Sequence, residues 1–290
     1  MGLLDYELLD SGDGKKLERI GGKTVVRPSA VALWKPRQAA AIWQSADAQF
    51  DPHSGWQSKP SVAKEWDVKL ASFRMRLRLQ SNGQVGVFPE HQNYLGPLLG
   101  VLEELSAGRQ GPIRVLNLFA YTGMASLLCR GAGAEVCHVD LSKRSIEWVR
   151  QNLECNGLSD GVRLIREDAA KFLQREVRRE SKYDVIIADP PSFSRVSKAK
   201  HWTIEDVLPG LISSCRGCLE SEKGRFVLTS HSTFPLEVYY NLVTDIFTDH
   251  DFTTIGRSLS LREQGVQRAL PSGYLVASGC GIGCMSAFAT

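Results

Sequence analysis

From residue 111 onward the sequence alternates between apolar, strand-like runs and amphipathic helical stretches, and this alternation restricts the fold more than any other feature. Apolar runs predict strands over 113–119, 134–140, 161–168, 183–191, 224–232, 252–261 and 272–278. Helices are predicted over 95–108, 124–133, 145–157, 170–180, 203–220 and 236–250, the fifth of them interrupted near Pro209. Alternation of this kind predicts an α/β fold with a doubly wound, parallel, Rossmann-like sheet.

Residues 1–95 have a different texture, rich in Gly, Trp and short alternating runs. Polar and apolar residues alternate over 74–79, and Asn82-Gly83 separates that run from the apolar residues 85–88. An Asn-Gly pair between two such runs predicts a β-hairpin. The sequence therefore predicts a small β-rich N-terminal domain over residues 1–80 and the α/β domain over residues 81–290.

Basic residues are concentrated near the N-terminus, although the net charge of the chain is only +3. Residues 14–37 contain Lys15, Lys16, Arg19, Lys23, Arg27, Lys35 and Arg37 against one acid. Residues 59–78 contain Lys59, Lys64, Lys69, Arg74, Arg76 and Arg78, and Trp34, Trp56 and Trp66 lie among these cations. Basic residues interleaved with aromatic rings are typical of a surface that binds RNA. The same pattern also fits a solvated face on a small domain whose Trp residues fill its core.

Nothing in the sequence points to a membrane or to secretion. No apolar run approaches the roughly 18 residues of a membrane span, and the first residues include no apolar signal segment. Seven scattered Cys residues favour reduced thiols, so a cytoplasmic protein is expected. Cys215 and Cys218 form one close pair and Cys280 and Cys284 another, but no pattern joins the two pairs, so no metal site is predicted. The oligomeric state is not indicated.

Ligands of doubly wound sheets bind beyond the carboxyl ends of the strands, so residues at the strand exits are candidate site residues. The first exit is the segment 117–123, in which Gly123 is the only glycine and precedes a helix. A pyrophosphate-binding loop usually has more glycines, so this exit favours a bulkier and less anionic ligand.

The second and third exits each carry an acid. Asp140, followed by Leu141, stands at about the offset where a carboxylate binds a ribose hydroxyl pair. Asp168, followed by Ala169, could accept a hydrogen bond from an exocyclic amine. Either acid could instead be a helix N-cap, but two acids at successive exits favour an adenosine site.

The fourth exit, Asp189-Pro190-Pro191 with Phe193 two residues later, is the most informative. Neither proline can donate a hydrogen bond and both fix φ, so the segment is rigid and rich in acceptors. Asp189 and the carbonyl of Pro190 could accept from the nitrogen of a planar base, and Phe193 could stack on its ring. The alternative is an ordinary strand that ends at a proline.

Taken together, these exits resemble the class I S-adenosylmethionine-dependent methyltransferases, in particular the bacterial large-subunit ribosomal RNA methyltransferases that act on cytosine C5 or guanine N7. The matching segments are 117–123, Asp140, Asp168, Asp189-Pro190-Pro191, 85–92 and Arg268-Ala269-Leu270-Pro271. The segment 85–92 is similar to a hairpin that closes over the cofactor in that group. The resemblance covers residues 80–278, and no RNA-binding module of that group is evident over residues 1–75.

The resemblance implies S-adenosylmethionine as cofactor and RNA as the methyl acceptor. It assigns cofactor binding to Phe88, Pro89, Glu90, Asn117, Phe119, Tyr121, Thr122, Gly123, Asp140, Leu141, Asp168 and Ala169. In this assignment the loop around Tyr121 lines the methionine part, Asp140 binds the ribose and Asp168 binds the adenine amine. It assigns catalysis to Asp189, Pro190, Pro191 and Phe193, with Asp189 between the methyl group and the acceptor.

The fifth exit separates carbon from nitrogen chemistry. Methylation of cytosine C5 requires a Cys nucleophile, which relatives with that activity carry at the fifth exit, but here the exit reads Leu228-Thr229-Ser230-His231-Ser232. A base nitrogen already has a lone pair and needs only positioning. The sequence therefore predicts methylation of a nitrogen of a ribosomal RNA base, guanine favoured, without a covalent intermediate. Methylation of a small molecule or a protein, or a catalytically silent cofactor-binding scaffold, are the alternatives.

Overall fold

The structure, a computed structural model, describes residues 2–60, 62–195, 201–231, 234–249, 252–280 and 288. The chain forms two compact units, one of Met1–Gln92 with Ser260–Ser272 and the other of Asn93–Leu259 with Gly273–Thr290. Residues 81–92 and 260–272 therefore belong to the first unit, whereas the domain boundary expected after residue 80 assigned them to the second. A boundary of that kind could not be read from the sequence, because the second of these segments is remote in the chain from the unit that it completes.

The first unit is rich in strands. They are β1 (Tyr6–Gly12), β2 (Lys15–Ile20), β3 (Lys23–Pro28), β4 (Ala48–Asp51), β5 (Gly55–Ser58), β6 (Glu65–Leu70) and β7 (Phe73–Arg78). Five of them form a sheet in the order β1-β2-β3-β4-β5, in which only the β3–β4 pair is parallel, and β6 and β7 form an antiparallel hairpin. The unit also contains α1 (Ala40–Gln44) and a 3-10 helix, Pro89–His91.

The predicted hairpin around Asn82-Gly83 forms only in part. Gly83 has a φ of +81° and donates its N–H to the carbonyl of Gln80, so the turn is present. The strand expected over 85–88 is absent from the described structure, because Gly86, with a φ of +110°, bends the chain after Val85. The partner of β7 is instead β6, which precedes it.

A buried ion pair lies in the first unit. Glu18 on β2 and Arg27 on β3 are both buried, and Arg27 donates from Nε and Nη2 to the two carboxylate oxygens at 2.7 and 2.9 Å. Burial alone would raise the pKa of Glu18, but Arg27 and Lys16 outweigh it and lower that pKa to about 2. Arg27, expected to contact RNA, is therefore part of the unit's interior.

A second polar network joins residues that are far apart in the sequence. Arg268 donates from Nε to both carboxylate oxygens of Glu263, at 2.8 and 2.7 Å, and from Nη2 to Oδ1 of Asp10 at 2.7 Å. The Asp10 carboxylate, buried to 1% exposure, also accepts from Trp43 Nε1 at 3.0 Å. The segment 260–272 is thus tied to β1 by charge-assisted hydrogen bonds.

The second unit is an α/β unit, as the alternation of strands and helices predicts. Its helices are α2 (Gln92–Ser106), α3 (Met124–Gly131), α4 (Lys143–Glu154), α5 (Ala169–Arg178), α6 (Ile204–Cys218) and α7 (Leu236–Ile246). Its strands are β8 (Arg114–Leu118), β9 (Glu135–Asp140), β10 (Val162–Arg166), β11 (Val185–Ala188), β12 (Phe193–Arg195), β13 (His201–Thr203) and β14 (Arg225–Ser230), followed by β15 (Phe252–Arg262) and β16 (Ala269–Cys280), which extend into the segment assigned to the first unit.

Seven strands form one sheet in the order β10-β9-β8-β11-β14-β16-β15. The first five are parallel, which confirms the predicted doubly wound sheet, and β16 runs antiparallel to β14. The strand order reverses between β8 and β11, so the exits of these two strands flank the switch point where ligands of such sheets bind. A continuous apolar core, including Leu116, Ile186 and Phe226 on the strands, fixes that arrangement.

Pro209 does not interrupt α6, contrary to the expectation. The helix runs without a break from Ile204 to Cys218. Leu208, Leu211 and Ile212 are buried in the core, and this packing offsets the one backbone hydrogen bond that a proline cannot make. No helix within the described ranges is both long enough and apolar enough to span a bilayer.

Candidate functional site

The loop between β8 and α3 has an unusual backbone. Phe119, Tyr121 and Gly123 have φ angles of +55°, +50° and +91°. A left-handed conformation is rare for bulky residues, and it persists only where the surroundings hold it. At Gly123 a Cβ atom would lie 2.3 Å from Cγ2 of Val149 on α4, so only glycine fits there. We refer to residues 119–123 as the exit loop.

The exit loop is held from β9 and α4. Tyr121 donates its backbone N–H to Oδ2 of Asp140 at 2.8 Å, and its ring centroid lies 6.1 Å from that of Trp148. Asn152, fully buried on α4, donates to the carbonyl of Thr122 at 3.0 Å. These contacts explain how the strained backbone persists, and they place the loop beside the end of β9.

Asp140 accepts hydrogen bonds that hold the exit loop, and its carboxylate can still accept one from a ligand. Its second oxygen accepts the N–H of Ser142 at 2.8 Å, and the side chain of Ser145 also donates to the carboxylate, so three of about four acceptor positions are used within the chain. Burial raises the pKa of Asp140, against the lowering effect of these two N–H groups. Leu141, directly after it, is 43% exposed, so an apolar side chain lies next to the carboxylate. A carboxylate with a neighbouring apolar surface suits a ribose and its attached base.

Asn117 faces the interior of the unit. It is 4% exposed, and its Nδ2 donates to Oγ of Ser126 at 2.9 Å. Ser126 Oγ in turn lies 2.9 Å from Nδ1 of His138, which is fully buried on β9 opposite Asn117. The Asn117–Ser126 bond therefore joins β8 to α3, the two elements that the exit loop connects. Ser126 and His138 were not predicted, because a serine in a helix and a histidine in a strand carry no signal of their own.

Asp168 is the N-cap of α5. One of its oxygens accepts the N–H of Lys171 at 3.0 Å, so the cap interpretation applies to that oxygen, and Ala169 is buried in the first helical turn. Asp168 follows β10 in the chain and Asp140 ends β9, and these two strands are neighbours in the sheet. The two acids are thus at adjacent strand exits, as the pattern predicts.

Three further expected cofactor residues, Phe88, Pro89 and Glu90, belong to the first unit. Pro89 and Glu90 are in the 3-10 helix and are buried. Phe88 precedes that helix, and its ring centroid lies 5.5 Å from that of His91.

Asp189 follows β11, next to the exit of β14. Thr229 donates from Oγ1 to Oδ1 of Asp189 at 2.6 Å, and Nε2 of His231 lies 3.7 Å from the same oxygen. Burial, and then the charge of Asp189, raises the pKa of the buried Tyr94 well above its usual value. Asp189 is thus a partly shielded carboxylate, with 16% of its side chain exposed, surrounded by polar groups of other elements.

The remaining residues of the fourth exit differ in exposure. Pro190 is buried and Pro191 is exposed, so the segment leaves the sheet at this point. Phe193 begins the short strand β12, but its side chain lies outside the described part of the structure.

The cysteines of α6 are core residues. Cys215 and Cys218 are fully buried, and burial raises the pKa of both thiols, that of Cys218 to about 11. Cys280 on β16 is a free thiol, and Cys284 lies outside the described residues. A buried, protonated thiol is a poor nucleophile and a poor metal ligand.

Many of the N-terminal basic residues are paired with acids. Ion pairs join Lys16 and Arg27 to Glu18, Arg19 to Glu7, Lys35 to Asp13, Lys59 to Asp47, Arg74 to Asp67, Arg76 to Glu65 and Asp67, and Arg78 to Glu65. Lys15, Arg37, Lys64 and Lys69 are exposed and have no ion pair within the described residues. The basic surface is therefore weaker than the count of cations suggests.

A cavity of about 630 Å³ lies at the opposite edge of the sheet. Its lining includes Arg114, Glu135 and Val162, which begin β8, β9 and β10. Because it is at the amino ends of the strands, it is separate from the exits described above.

Comparison with known proteins decides the family. Residues 15–214 match the family model for S-adenosylmethionine-dependent methyltransferases. The chain is a member of this family. A crystal structure of an S-adenosylmethionine-dependent methyltransferase from Agrobacterium tumefaciens is 37% identical, covers 95% of this chain and 90% of its own, and has a TM-score of 0.88. A second crystal structure, complexed with SAH, is 18% identical with a TM-score of 0.73 over 96% of this chain and 76% of its own, and it supports the fold.

Curated relatives of the methyltransferase match over part of its length. Ribosomal RNA large subunit methyltransferase K/L of Dichelobacter nodosus is 31% identical over 178 residues, which are 61% of this chain and 22% of the relative. Ribosomal RNA large subunit methyltransferase I of Aeromonas salmonicida is 40% identical over 106 residues, or 36% of this chain and 24% of the relative. The chain thus matches about a fifth to a quarter of the length of these relatives.

The predicted family and cofactor are therefore confirmed, and the described residues fit the cofactor. A loop in which Gly123 admits no side chain and Asp140 keeps an unused acceptor position beside an exposed Leu141 can hold an adenosine group with an amino-acid tail. The exits of β8 and β11 are adjacent and flank the switch point, so a methyl donor and an acceptor bound at the two exits would be neighbours.

Proposed function

We propose that this methyltransferase transfers a methyl group to a nitrogen of a base in large-subunit ribosomal RNA, with guanine favoured, and forms no covalent intermediate with the base. The observation that carries the proposal is the Asp189-Pro190-Pro191 exit, in which Thr229 holds the carboxylate beside the switch point of the sheet.

Cofactor binding is assigned to the exits of β8, β9 and β10. The exit loop contacts the methionine part, Asp140 and Leu141 contact the ribose, and Asp168 and Ala169 contact the adenine. Asn117 supports the loop by joining β8 to α3 through Ser126. Phe88, Pro89 and Glu90 are assigned to cofactor binding by the sequence resemblance alone.

Bound S-adenosylmethionine supplies a methyl group on a positively charged sulfur. The lone pair of the acceptor nitrogen forms the new N–C bond while the C–S bond breaks, and the bonding pair stays on sulfur. In this proposal Asp189 and the carbonyl of Pro190 orient the base, Pro191 keeps the segment rigid, and Phe193 stacks on the ring. Orientation supplies much of the rate, because the nucleophile needs no activation.

Nitrogen chemistry is supported by the residues around Asp189. The segments 189–195 and 228–232 contain no Cys. Cys215 and Cys218 are buried with raised thiol pKa values, so neither suits covalent addition to a pyrimidine.

An RNA acceptor is supported by the relatives, several of which are named as ribosomal RNA large subunit methyltransferases. The exposed cations Lys15 and Arg37 are additional, weaker support. In this proposal the first unit contributes to RNA binding.

Nucleoside mass spectrometry of ribosomal RNA from a strain that lacks this gene tests the proposal. We expect one methylated purine to be missing and to return with the wild-type gene but not with Asp189→Ala. A complete set of ribosomal RNA modifications in the deletion strain, together with methylation of a protein or small-molecule fraction, would favour the alternative acceptors. Normal cofactor affinity with no transfer to any fraction would favour a silent scaffold.

RNA containing 5-fluorocytosine tests the covalent step. Enzymes that add a Cys to cytosine are trapped by this base, whereas a nitrogen methyltransferase is not. We expect no protein–RNA adduct on a denaturing gel, and a stable adduct would contradict the nitrogen assignment.

A further inference from the structure

Asn117, Ser126 and His138 form a buried series of hydrogen bonds, and the donors and acceptors along it indicate where the hydrogens lie. Asn117 Nδ2 donates to Ser126 Oγ, so the single hydroxyl hydrogen of Ser126 remains available to donate. The atom within reach is Nδ1 of His138, at 2.9 Å. We assign Nδ1 as the acceptor nitrogen of the ring, because an Nδ1–H would leave the Ser126 hydrogen without an acceptor among these contacts.

His138 has no exposed surface, and burial lowers its pKa to about 3. The ring is therefore neutral at physiological pH and carries one N–H. Because Nδ1 accepts from Ser126, that N–H is at Nε2.

Nε2 is buried and has no hydrogen-bond partner of good geometry among the described residues. A weak backbone hydrogen bond with Tyr121 nevertheless raises the pKa of the ring, against the larger lowering effect of burial. A buried N–H donor whose only contact is weak is unfavourable, so it calls for an explanation.

Tyr121 lies in the strained part of the exit loop and donates its backbone N–H to Asp140. Asp140 follows His138 by two residues, so both side chains are on the same face of β9. Asp140 accepts the backbone N–H of Tyr121, and the Nε2–H of His138 is a donor suited to the carbonyl of the same residue. Only the Asp140 contact is complete in the described structure.

We propose that His138 is a positioning residue for the cofactor: its Nε2–H donates to the carbonyl of Tyr121 when S-adenosylmethionine binds, which fixes the exit loop in its binding conformation. The inference rests on the proposed assignment of the exit loop to the cofactor. Asn117 and Ser126 set the ring tautomer, so the three residues act as one unit that never contacts the ligand.

NMR of the wild-type protein tests the tautomer without any mutation. We expect a slowly exchanging imidazole N–H signal from Nε2, identified by its loss in His138→Gln, and a downfield shift of that signal on addition of SAH. A proton at Nδ1, or an Nε2–H signal that SAH leaves unchanged, would overturn the inference.

Calorimetry with SAH and steady-state kinetics test the consequence. His138→Leu should weaken SAH affinity and raise KM for S-adenosylmethionine about tenfold, with kcat at saturating cofactor nearly unchanged, and His138→Gln should restore part of the affinity. Val136→Ala, on the same face of β9 and 2% exposed, is the matched control for a core substitution and should leave KM unchanged.

Two comparisons keep the possible failures apart. If His138→Leu remains folded and binds SAH as the wild type does while Asp140→Ala binds it weakly, only the role of His138 is wrong. If Asp140→Ala also binds normally, the exit loop itself is not the cofactor site.

Discussion

The hydroxyl of Thr229 donates a 2.6 Å hydrogen bond to Oδ1 of Asp189, and this bond joins the exits of two neighbouring parallel strands, β14 and β11. Thr229 has no exposed surface, so its hydroxyl cannot exchange this contact for water. The orientation of the Asp189 carboxylate is therefore set from the fifth exit rather than by the rigid prolines that follow it.

Thr229→Val should lower turnover about tenfold, because it keeps the shape of the side chain but removes a hydrogen bond to a charged group worth about 1.5 kcal/mol. Affinity for SAH should not change. Thr229→Ser keeps the hydroxyl and is the control. Asp189→Ala should show the same pattern with a larger loss, as expected for a group used mainly in the transition state. If either variant lost cofactor affinity instead, Asp189 would belong to the cofactor site.

Asp140→Ala should weaken binding of S-adenosylmethionine by about 1.5–3 kcal/mol, since it removes a charged acceptor. Asp140→Asn should lose less, because the amide oxygen can still accept one of the two N–H groups. Isothermal calorimetry with SAH measures both. Asp160→Ala, an exposed acid in the loop after α4, serves as the control, and unchanged affinity in the Asp140 variants would exclude this residue from the site.

The partly buried Asp140 carboxylate should also lower the stability of the folded protein at neutral pH, where it is ionised. Burial raises its pKa in the folded protein above the unfolded value, so the protonated form favours folding. Its favourable contribution is present at acidic pH and is lost as the pH rises and the group ionises. Asp140→Asn should therefore unfold at the same or a higher temperature than wild type at pH 7. A clearly lower Tm would mean that the backbone contacts of the carboxylate outweigh its desolvation.

The buried Glu18–Arg27 pair predicts an opposite pH dependence. The pKa of Glu18 falls from 4.5 to about 2 on folding, so its stabilisation is fully present above pH 4.5 and is lost between about pH 4.5 and 2. Arg27→Met should destabilise the protein by about 3–5 kcal/mol at pH 7, because it leaves a buried carboxylate without its partner. Denaturant unfolding across this pH range measures both effects. Glu18→Gln should flatten the acid dependence, and a steep loss that persists in this variant would have another source.

The affinity for RNA should depend on salt through only a few cations. Lys15→Glu with Arg37→Glu should reduce the slope of log affinity against log salt by about 1–2, since each phosphate contact contributes somewhat less than one unit. Arg19→Glu should have less effect on the slope, because Arg19 is already paired with Glu7. Arg144→Glu, exposed on α4 of the second unit, is the matched control. A slope that does not depend on Lys15 and Arg37 would leave them as solvated surface only.

The sequence predicts the α/β unit well because each exit follows an apolar run that has to be buried. Asp140 and Asp189 could be placed at one edge of the sheet from topology alone. Arg27 could not be separated from the solvated cations, because a buried ion pair depends on which strands pair, and the partner Glu18 is nine residues away. His138 is hidden for a related reason. Its role depends on Ser126 from a helix, a contact that no local pattern encodes.

The tie between Arg268 and Asp10 sets an order for folding during synthesis. The first unit requires Glu263 and Arg268, which the ribosome adds about 170 residues after the rest of that unit. At roughly 5–20 residues per second, the rest of the unit therefore waits about 10–30 s after its own synthesis, with the Asp10 carboxylate lacking its charged partner. The second unit waits as well, because β16, which begins directly after Arg268, lies between β14 and β15 in the sheet. A nascent chain released before residue 268 would therefore leave both units incomplete, and a single late stop codon would affect the entire molecule.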